Sequence, residues 1–299
     1  MNAIKTVFSI KDLENLSGVK AHTIRIWEKR YSILEPMRTE TNIRLYDSSN
    51  LQKLLNITLL HECGYKISEI SKLPAEKIPT LVREIISEKS AKNYAIRSFK
   101  MAMVNFDQQL FLNTYNNLLS VKTFREIFFE VFIPLLEEIG LLWQTDTISP
   151  AQEHFISNLI KQKLLVNTEK IQLLDTSRTE RTFILFLPYN EIHEIGLMYI
   201  NYEILLHGYK SIYLGSSIPI NDLKEMKKNF NNITFVTYIT IEPSKNETSN
   251  YIKELDTEIL NDETSMLWAF GKPTKFIENS NVSNKTVLFE SLKDLTNYL

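Results

Sequence analysis

From about Arg181 onward the chain repeats one pattern, a short apolar run followed by a helix-length amphipathic stretch, and this constrains the fold more than any other feature. FILFLP, SIYLG, ITFVTYIT, MLWAFG and TVLFE read as buried strands. HEIGLMYINYEILLHG, Pro219 to Phe230, Tyr251 to Leu260 and Leu292 to Leu299 read as the helices between and after them. Strands joined by crossover helices lie parallel, and a parallel sheet has to be covered on both faces. Residues 173–299 are therefore expected to form a doubly wound α/β domain of the Rossmann or flavodoxin-like kind. Ligands of such sheets bind at the carboxyl ends of the strands, here the loops after Leu187, Leu214, Thr240 and Phe270.

Upstream the period is that of helices. Apolar residues recur at spacings of three and four in Tyr94 to Val104, Leu110 to Leu119, Phe124 to Leu142 and Ala151 to Val166, with Asp107 and Ser149 as N-caps of the second and fourth segments. Four amphipathic helices with short joins predict a four-helix bundle within 77–172. Before it, a helix from Ser48 to Cys63 ends at Gly64, Ile67 to Leu73 makes a short helix, and Pro74 and Pro79 mark a linker.

The first 46 residues have a different character. Ser9 and Asp12 form a capping box that starts a helix carrying Ile10, Leu13 and Leu16 on one face, and Gly18 stops it. A second helix from about Lys20 places Ile24, Trp27 and Tyr31 inward and His22, Thr23, Arg25, Lys29 and Arg30 outward. An outward face of this kind can be a merely solvated one, or can meet base edges and phosphates. The polar hairpin-like stretch that follows, with Pro36, Arg38, Arg44 and Tyr46, shows no carboxylate-rich helix to pair its arginines, which suits phosphate contact at the edge of a wing.

Charge follows the same division. Residues 1–66 hold ten Lys and Arg against seven Asp and Glu, a net of +3, while the remainder is net −5, so a basic head is followed by an acidic body. A lone cysteine, Cys63, placed by the pattern on the buried side of its helix, excludes a disulfide framework and fits a reducing cytoplasm. Met1 to Thr6 lacks the apolar core of a signal peptide, and no run nears the roughly eighteen apolar residues of a membrane span. No membrane partner is expected.

TIRIWEKRY, then Leu34, Pro36 and Arg38, then NIRLYD resemble the DNA-binding domain of the MerR family of bacterial regulators. That resemblance implies a winged helix-turn-helix over residues 1–76 that binds double-stranded operator DNA through His22, Thr23, Arg25, Arg30, Tyr31, Arg38, Arg44 and Tyr46. Where the family has Gly-Tyr-Arg before the wing tyrosine, this chain has Asn42, Ile43 and Arg44, and Asn tolerates the left-handed turn that Gly would take.

Two further patterns carry chemistry. Glu191, His193 and Gly196 spell E-x-H-x-x-G in the loop after the first strand, and Trp143 is followed after nine residues by Glu153 and His154. The histidine can be a metal ligand tuned by the neighbouring carboxylate, or a helix cap. Trp143 can be ordinary core, and Glu153 with His154 a solvated helix start. Together they resemble the cobalamin-binding region of the light-sensing MerR regulators, the CarH and LitR group. The resemblance implies His193 as the lower cobalt ligand, Glu191 as its neighbour, Trp143 as the wall above the corrin, and Glu153 with His154 as contacts to an adenosyl group. It also implies Gly196 as the residue that admits the nucleotide tail, with Gly215, Ser216, Thr240 and Gly271 as the small residues lining that tail. The chain departs from the group at Phe270-Gly271-Lys272, where two glycines are usual, and at Gln144, where a histidine stands near the tryptophan.

The function implied is a cytoplasmic, adenosylcobalamin-dependent and light-responsive repressor that self-associates as a dimer or tetramer, and not an enzyme. The alternatives are a MerR-type regulator whose carboxyl-terminal domain senses another ligand or none, and a cobalamin-dependent methyltransferase-like or mutase-like module.

Overall fold

The computed structural model describes residues 5–84, 88–174, 176–277 and 282–299, so most of the start read from Met1 to Thr6 lies outside the described residues. The chain divides into two compact units, Met1–Ile160 and Lys161–Leu299. The first begins with β1 (Phe8–Ser9), α1 (Ile10–Ser17) and α2 (Ala21–Tyr31), continues through β2 (Met37–Arg38) and β3 (Arg44–Tyr46), and follows with α3 (Ser48–Glu62), α4 (Ile67–Ile70) and α5 (Lys77–Glu84). The three strands form an antiparallel sheet in the order β1-β3-β2. The expected capping box is present, with the Ser9 side chain accepting from the Asp12 amide and the Asp12 side chain accepting from the Ser9 amide, and Gly18 closes α1 at φ 78°.

Two expectations are corrected here. Pro74 lies in the short connection between α4 and α5, as expected, but Pro79 does not mark a linker: it is the third residue of α5, in the first turn, where a helix needs no amide donor. Cys63 is exposed, because α3 ends at Glu62 and the thiol sits at its cap, past the buried stripe.

Next come α6 (Glu88–Asn105), α7 (Gln108–Leu119), α8 (Phe124–Ile127) continued by a π-turn over Phe128–Phe132 into α9 (Ile133–Gln144), and α10 (Pro150–Gln172). Both predicted caps are used: Asp107 accepts from the Leu110 amide at 2.9 Å, and Ser149 exchanges hydrogen bonds with Gln152. The bundle closes around fully buried rings. Phe132 stacks parallel to Phe111 and Tyr115 and lies 5.7 Å from Phe99. Head and bundle are packed together within this unit: Lys100 donates to the Leu16 carbonyl at 3.2 Å, Asn15 to Thr147 Oγ1 at 2.8 Å, and Arg97 pairs with Glu62 at 2.6 Å.

The second unit alternates as expected, with β4 (Arg178–Phe186), α11 (Ile195–Leu206), β5 (Tyr209–Gly215), α12 (Ile220–Lys227), β6 (Ile233–Tyr238), α13 (Thr248–Ile259), β7 (Met266–Phe270) and β8 (Thr286–Leu288). All pairings are parallel, in the order β5-β4-β6-β7-β8. The closing segment Leu292–Asn297 is a short 3₁₀ helix where a regular one was expected. Because the chain leaves β4 in one direction for β5 and returns past it to β6, the strand order reverses between β4 and β6. That is where a doubly wound sheet opens a crevice at its carboxyl edge. Among the described residues no helix is long and apolar enough to cross a membrane.

Phe132→Ala should lower the free energy of unfolding of the first unit by about 3–5 kcal/mol, the cost of removing a buried aromatic ring from a packed core. Urea denaturation followed by circular dichroism checks it.

Candidate functional site

Glu191 organises the crevice. Its side chain is 1% exposed, and it uses both oxygens. Oε1 accepts from the Ile192 amide at 2.9 Å, the His193 amide at 3.0 Å and His193 Nδ1 at 2.6 Å. Oε2 accepts from the amides of Thr240, Ile241 and Glu242 at 3.0, 2.7 and 3.0 Å. Burial alone raises the pKa of Glu191, but the His193 hydrogen bond together with the amides of Ile241, Glu242 and His193 outweighs it and holds the carboxyl well below the usual carboxylate range. A carboxylate can only accept, so Nδ1 of His193 carries a proton and donates it. The imidazole is thereby fixed in one tautomer and one orientation, with its side chain 47% exposed at the strand ends.

The other residues named for this unit lie at the carboxyl ends of its strands and at the start of α11. Glu194, which precedes α11, pairs with Lys161 at 3.1 Å and accepts from the Tyr213 hydroxyl at 3.3 Å, and burial pushes the Tyr213 phenol up. Ser217 Oγ accepts from the Asn190 amide at 3.1 Å, joining the loops after β4 and β5. Gly215 has φ 88° at the end of β5, and Ser216 and Thr240 are exposed. Gly271 has φ 114°, and a Cβ there would lie 1.8 Å from the Ile239 carbonyl oxygen, so its glycine is required by backbone packing. Gly196 is likewise explained from inside the protein: a Cβ there would lie 2.6 Å from the Tyr238 ring. Expected as open room for a ligand, the side of Gly196 that a Cβ would occupy holds an aromatic ring.

In the first unit, Trp143 is 51% exposed near the end of α9 and does not serve as core. Glu153 and His154 stand together, Oε2 to Nδ1 3.1 Å, in the first turn of α10, and Glu153 also accepts from Ser157 at 2.6 Å. Between them the loop 145–149 is bonded to the head: besides Asn15 to Thr147, Lys5 donates to the Asp146 carbonyl at 2.9 Å, and Gln152 donates to the Lys5 carbonyl at 3.3 Å.

On the head, His22, Arg25, Lys29 and Arg30 are exposed on α2 while Ile24 and Trp27 are buried, as the spacing predicts; Thr23 and Tyr31 are partly buried. Glu14 accepts from the Ala21 amide at 3.0 Å, so the start of α2 is capped from α1, and that bond with those from Lys11 and Lys20 pulls the Glu14 carboxyl down to about 2. Asn42 takes φ 63° at the wing tip and accepts from Arg38 at 2.6 Å. The expectation that the wing arginines lack a carboxylate partner is corrected at Arg44. Its Nε donates to Glu28 Oε1 at 2.9 Å, and the Tyr46 hydroxyl donates to Glu28 Oε2 at 2.9 Å. Tyr46 is fully buried and Arg44 partly so, hence both anchor the wing to α2 and only Arg38 is exposed. Glu28 was hidden from sequence reasoning because its partners lie 16 and 18 residues away.

Residues 8–77 match the MerR HTH family of regulatory proteins, and residues 95–166 match the family described as B12 binding domain. The two matches give a DNA-binding transcriptional regulator with a MerR-type head and a B12-binding domain. Within that class the chain is similar to the HTH-type transcriptional repressor CarH of Myxococcus xanthus, 28% identical over 222 residues, which are 72% of this chain and 73% of the relative. The repressor CarA of the same organism is 24% identical over 217 residues, covering 70% and 68%. Among solved structures, the Methanosarcina barkeri monomethylamine corrinoid protein superimposes with a TM-score of 0.57 at 13% identity, over 71% of this chain and 98% of that one, a likeness of fold alone.

Arg38→Ala should weaken binding to all DNA sequences alike and reduce the salt slope by about one, whereas Arg25→Ala should also change base preference. Gel shifts across a salt series decide it. Glu191→Gln, which puts an amide donor where one set of N–H groups needs an acceptor, should cost about 1–3 kcal/mol and speed hydrogen exchange at Thr240 to Glu242. Unchanged exchange would contradict the anchoring role.

Proposed function

We propose that this chain is a cytoplasmic, cobalamin-responsive repressor that binds operator DNA as an oligomer, takes adenosylcobalamin, and is released by light. The His193–Glu191 pair at the sheet's switch point, in a chain whose other end is a winged helix-turn-helix, carries the proposal. Cobalamin, when bound, supplies a cobalt centre that accepts a nitrogen ligand and a cobalt–carbon bond that green light cleaves. The donor set fits it. His193 would hold cobalt through Nε2, since Nδ1 is engaged, and the buried Glu191 anion fixes the ring and raises its basicity. Trp143, Glu153 and His154 are assigned to the adenosyl side.

Transmission to DNA uses bonds within the first unit. The loop 145–149 lies between Trp143 and the Glu153–His154 pair and is tied to Lys5 and to Asn15 of α1, so a shift at either end of the loop reaches the head. Ligand at a hundred times its dissociation constant stabilises the binding-competent state by about 2.7 kcal/mol, and joined heads multiply the effect on DNA. The named relatives are repressors, which supports a non-enzymatic role. A second reading, a MerR-type regulator that takes another ligand, is favoured by Phe270, which is buried and stacks on Phe289 at 4.1 Å where the light-sensing group has a glycine.

Purified protein mixed with adenosylcobalamin in the dark and desalted should keep corrin absorption; His193→Ala should lose it with its circular dichroism unchanged. Full retention in the variant would refute coordination. Size exclusion should show an oligomer in the dark that dissociates in green light, and indifference to both would leave the second reading. Asn15→Ala with Thr147→Val should retain corrin and DNA binding but lose most of the dependence of one on the other.

A further inference from the structure

Inside the first unit, head and bundle leave a cavity where α3 and α6 pack together. It measures about 70 Å³ and is lined by Leu55, Asn56 and Leu59 of α3 and by Arg97, Ser98 and Met101 of α6. In both sets the residues fall three or four apart or side by side, the spacing of one helix face, so two faces meet here. Packed helices hold few voids, and this one lies where the short side chains of Ser98 and Asn56 border the contact.

Arg97 gives the cavity its chemistry. Its side chain is 14% exposed and Nη2 donates to Glu62 Oε1 at 2.6 Å, while Nη1 is buried and meets no acceptor among the described residues. A buried guanidinium N–H that donates to nothing carries a desolvation cost, and an oxygen entering the cavity would remove it. Leu55, Leu59 and Met101 are buried, so the rest of the wall is largely apolar. The one positive charge is already shared with Glu62, which selects a monoanion over a dianion. Roughly 10–15 Å³ is enough for one water, so the cavity has room for a few heavy atoms.

We propose that this cavity is a second ligand site, independent of the corrinoid reading, and that it takes a short aliphatic monocarboxylate. The carboxylate accepts from Arg97 Nη1, and the tail lies against Leu55, Leu59 and Met101. Because α3 belongs to the head and α6 to the bundle, the bound acid joins the two and stabilises their docked arrangement.

The test titrates the full chain with sodium butyrate and with butyramide, a neutral molecule of the same shape, by ligand-detected saturation-transfer NMR. Wild type should bind butyrate about tenfold more tightly than butyramide, since only the anion makes a charge-assisted bond to the guanidinium. Arg97→Met, checked for folding by circular dichroism, should erase that preference. Glu62→Gln removes the carboxylate that competes for the guanidinium and should tighten butyrate about threefold, a gain that misfolding cannot imitate. Butyrate should also raise the Tm of wild type and of Glu62→Gln, and leave that of Arg97→Met unchanged. Unchanged butyrate affinity in either folded variant overturns the assignment to Arg97. Equal affinity of wild type for the two probes, or no binding of butyrate at all, overturns the site.

Discussion

A single buried carboxylate holds together the loops at the carboxyl edge of the second unit's sheet. An unpaired anion at the position of Glu191 would be prohibitively costly, and the fold meets that demand with amides from two loops and one imidazole. The two loops follow β4 and β6, the strands on either side of the point where the strand order reverses. One ion therefore sets the crevice and aims the histidine at the same time. The orientation of His193 and the position of the backbone at 240–242 are thus tied to the same side chain.

The head uses the same device twice. Glu28 receives Arg44 and Tyr46 and binds the wing to α2, and Glu14 receives the Ala21 amide and binds the start of α2 to α1. Charges that look available for phosphate are thus divided between holding the reading surface in shape and presenting it. Arg38 and the outer face of α2 stay exposed. This head docks on the bundle through Lys100, Asn15 and Gln152, which ties the loop 145–149 to it inside one compact unit.

The sequence by itself determined most of the elements and their classes, though not the helix that includes Pro79 or the 3₁₀ form of Leu292–Asn297. Short apolar runs, period-3.6 patterns, Gly18, Asp107, Ser149 and Asn42 are local signals, and each appears in the structure at its predicted place because caps and turns are decided within a few residues. E-x-H-x-x-G was legible for the same reason, since Glu191 and His193 are two residues apart. What only tertiary structure decided were the partners far along the chain: the amides of 240–242 for Glu191, Glu28 for Arg44 and Tyr46, Thr147 for Asn15, and Tyr238 against Gly196. Glycines at 196 and 271 marked close approach in the sequence, but a missing Cβ says only that something comes near. Whether that neighbour is a ligand, a ring or a carbonyl depends on strand register and loop return, which pattern and spacing do not encode.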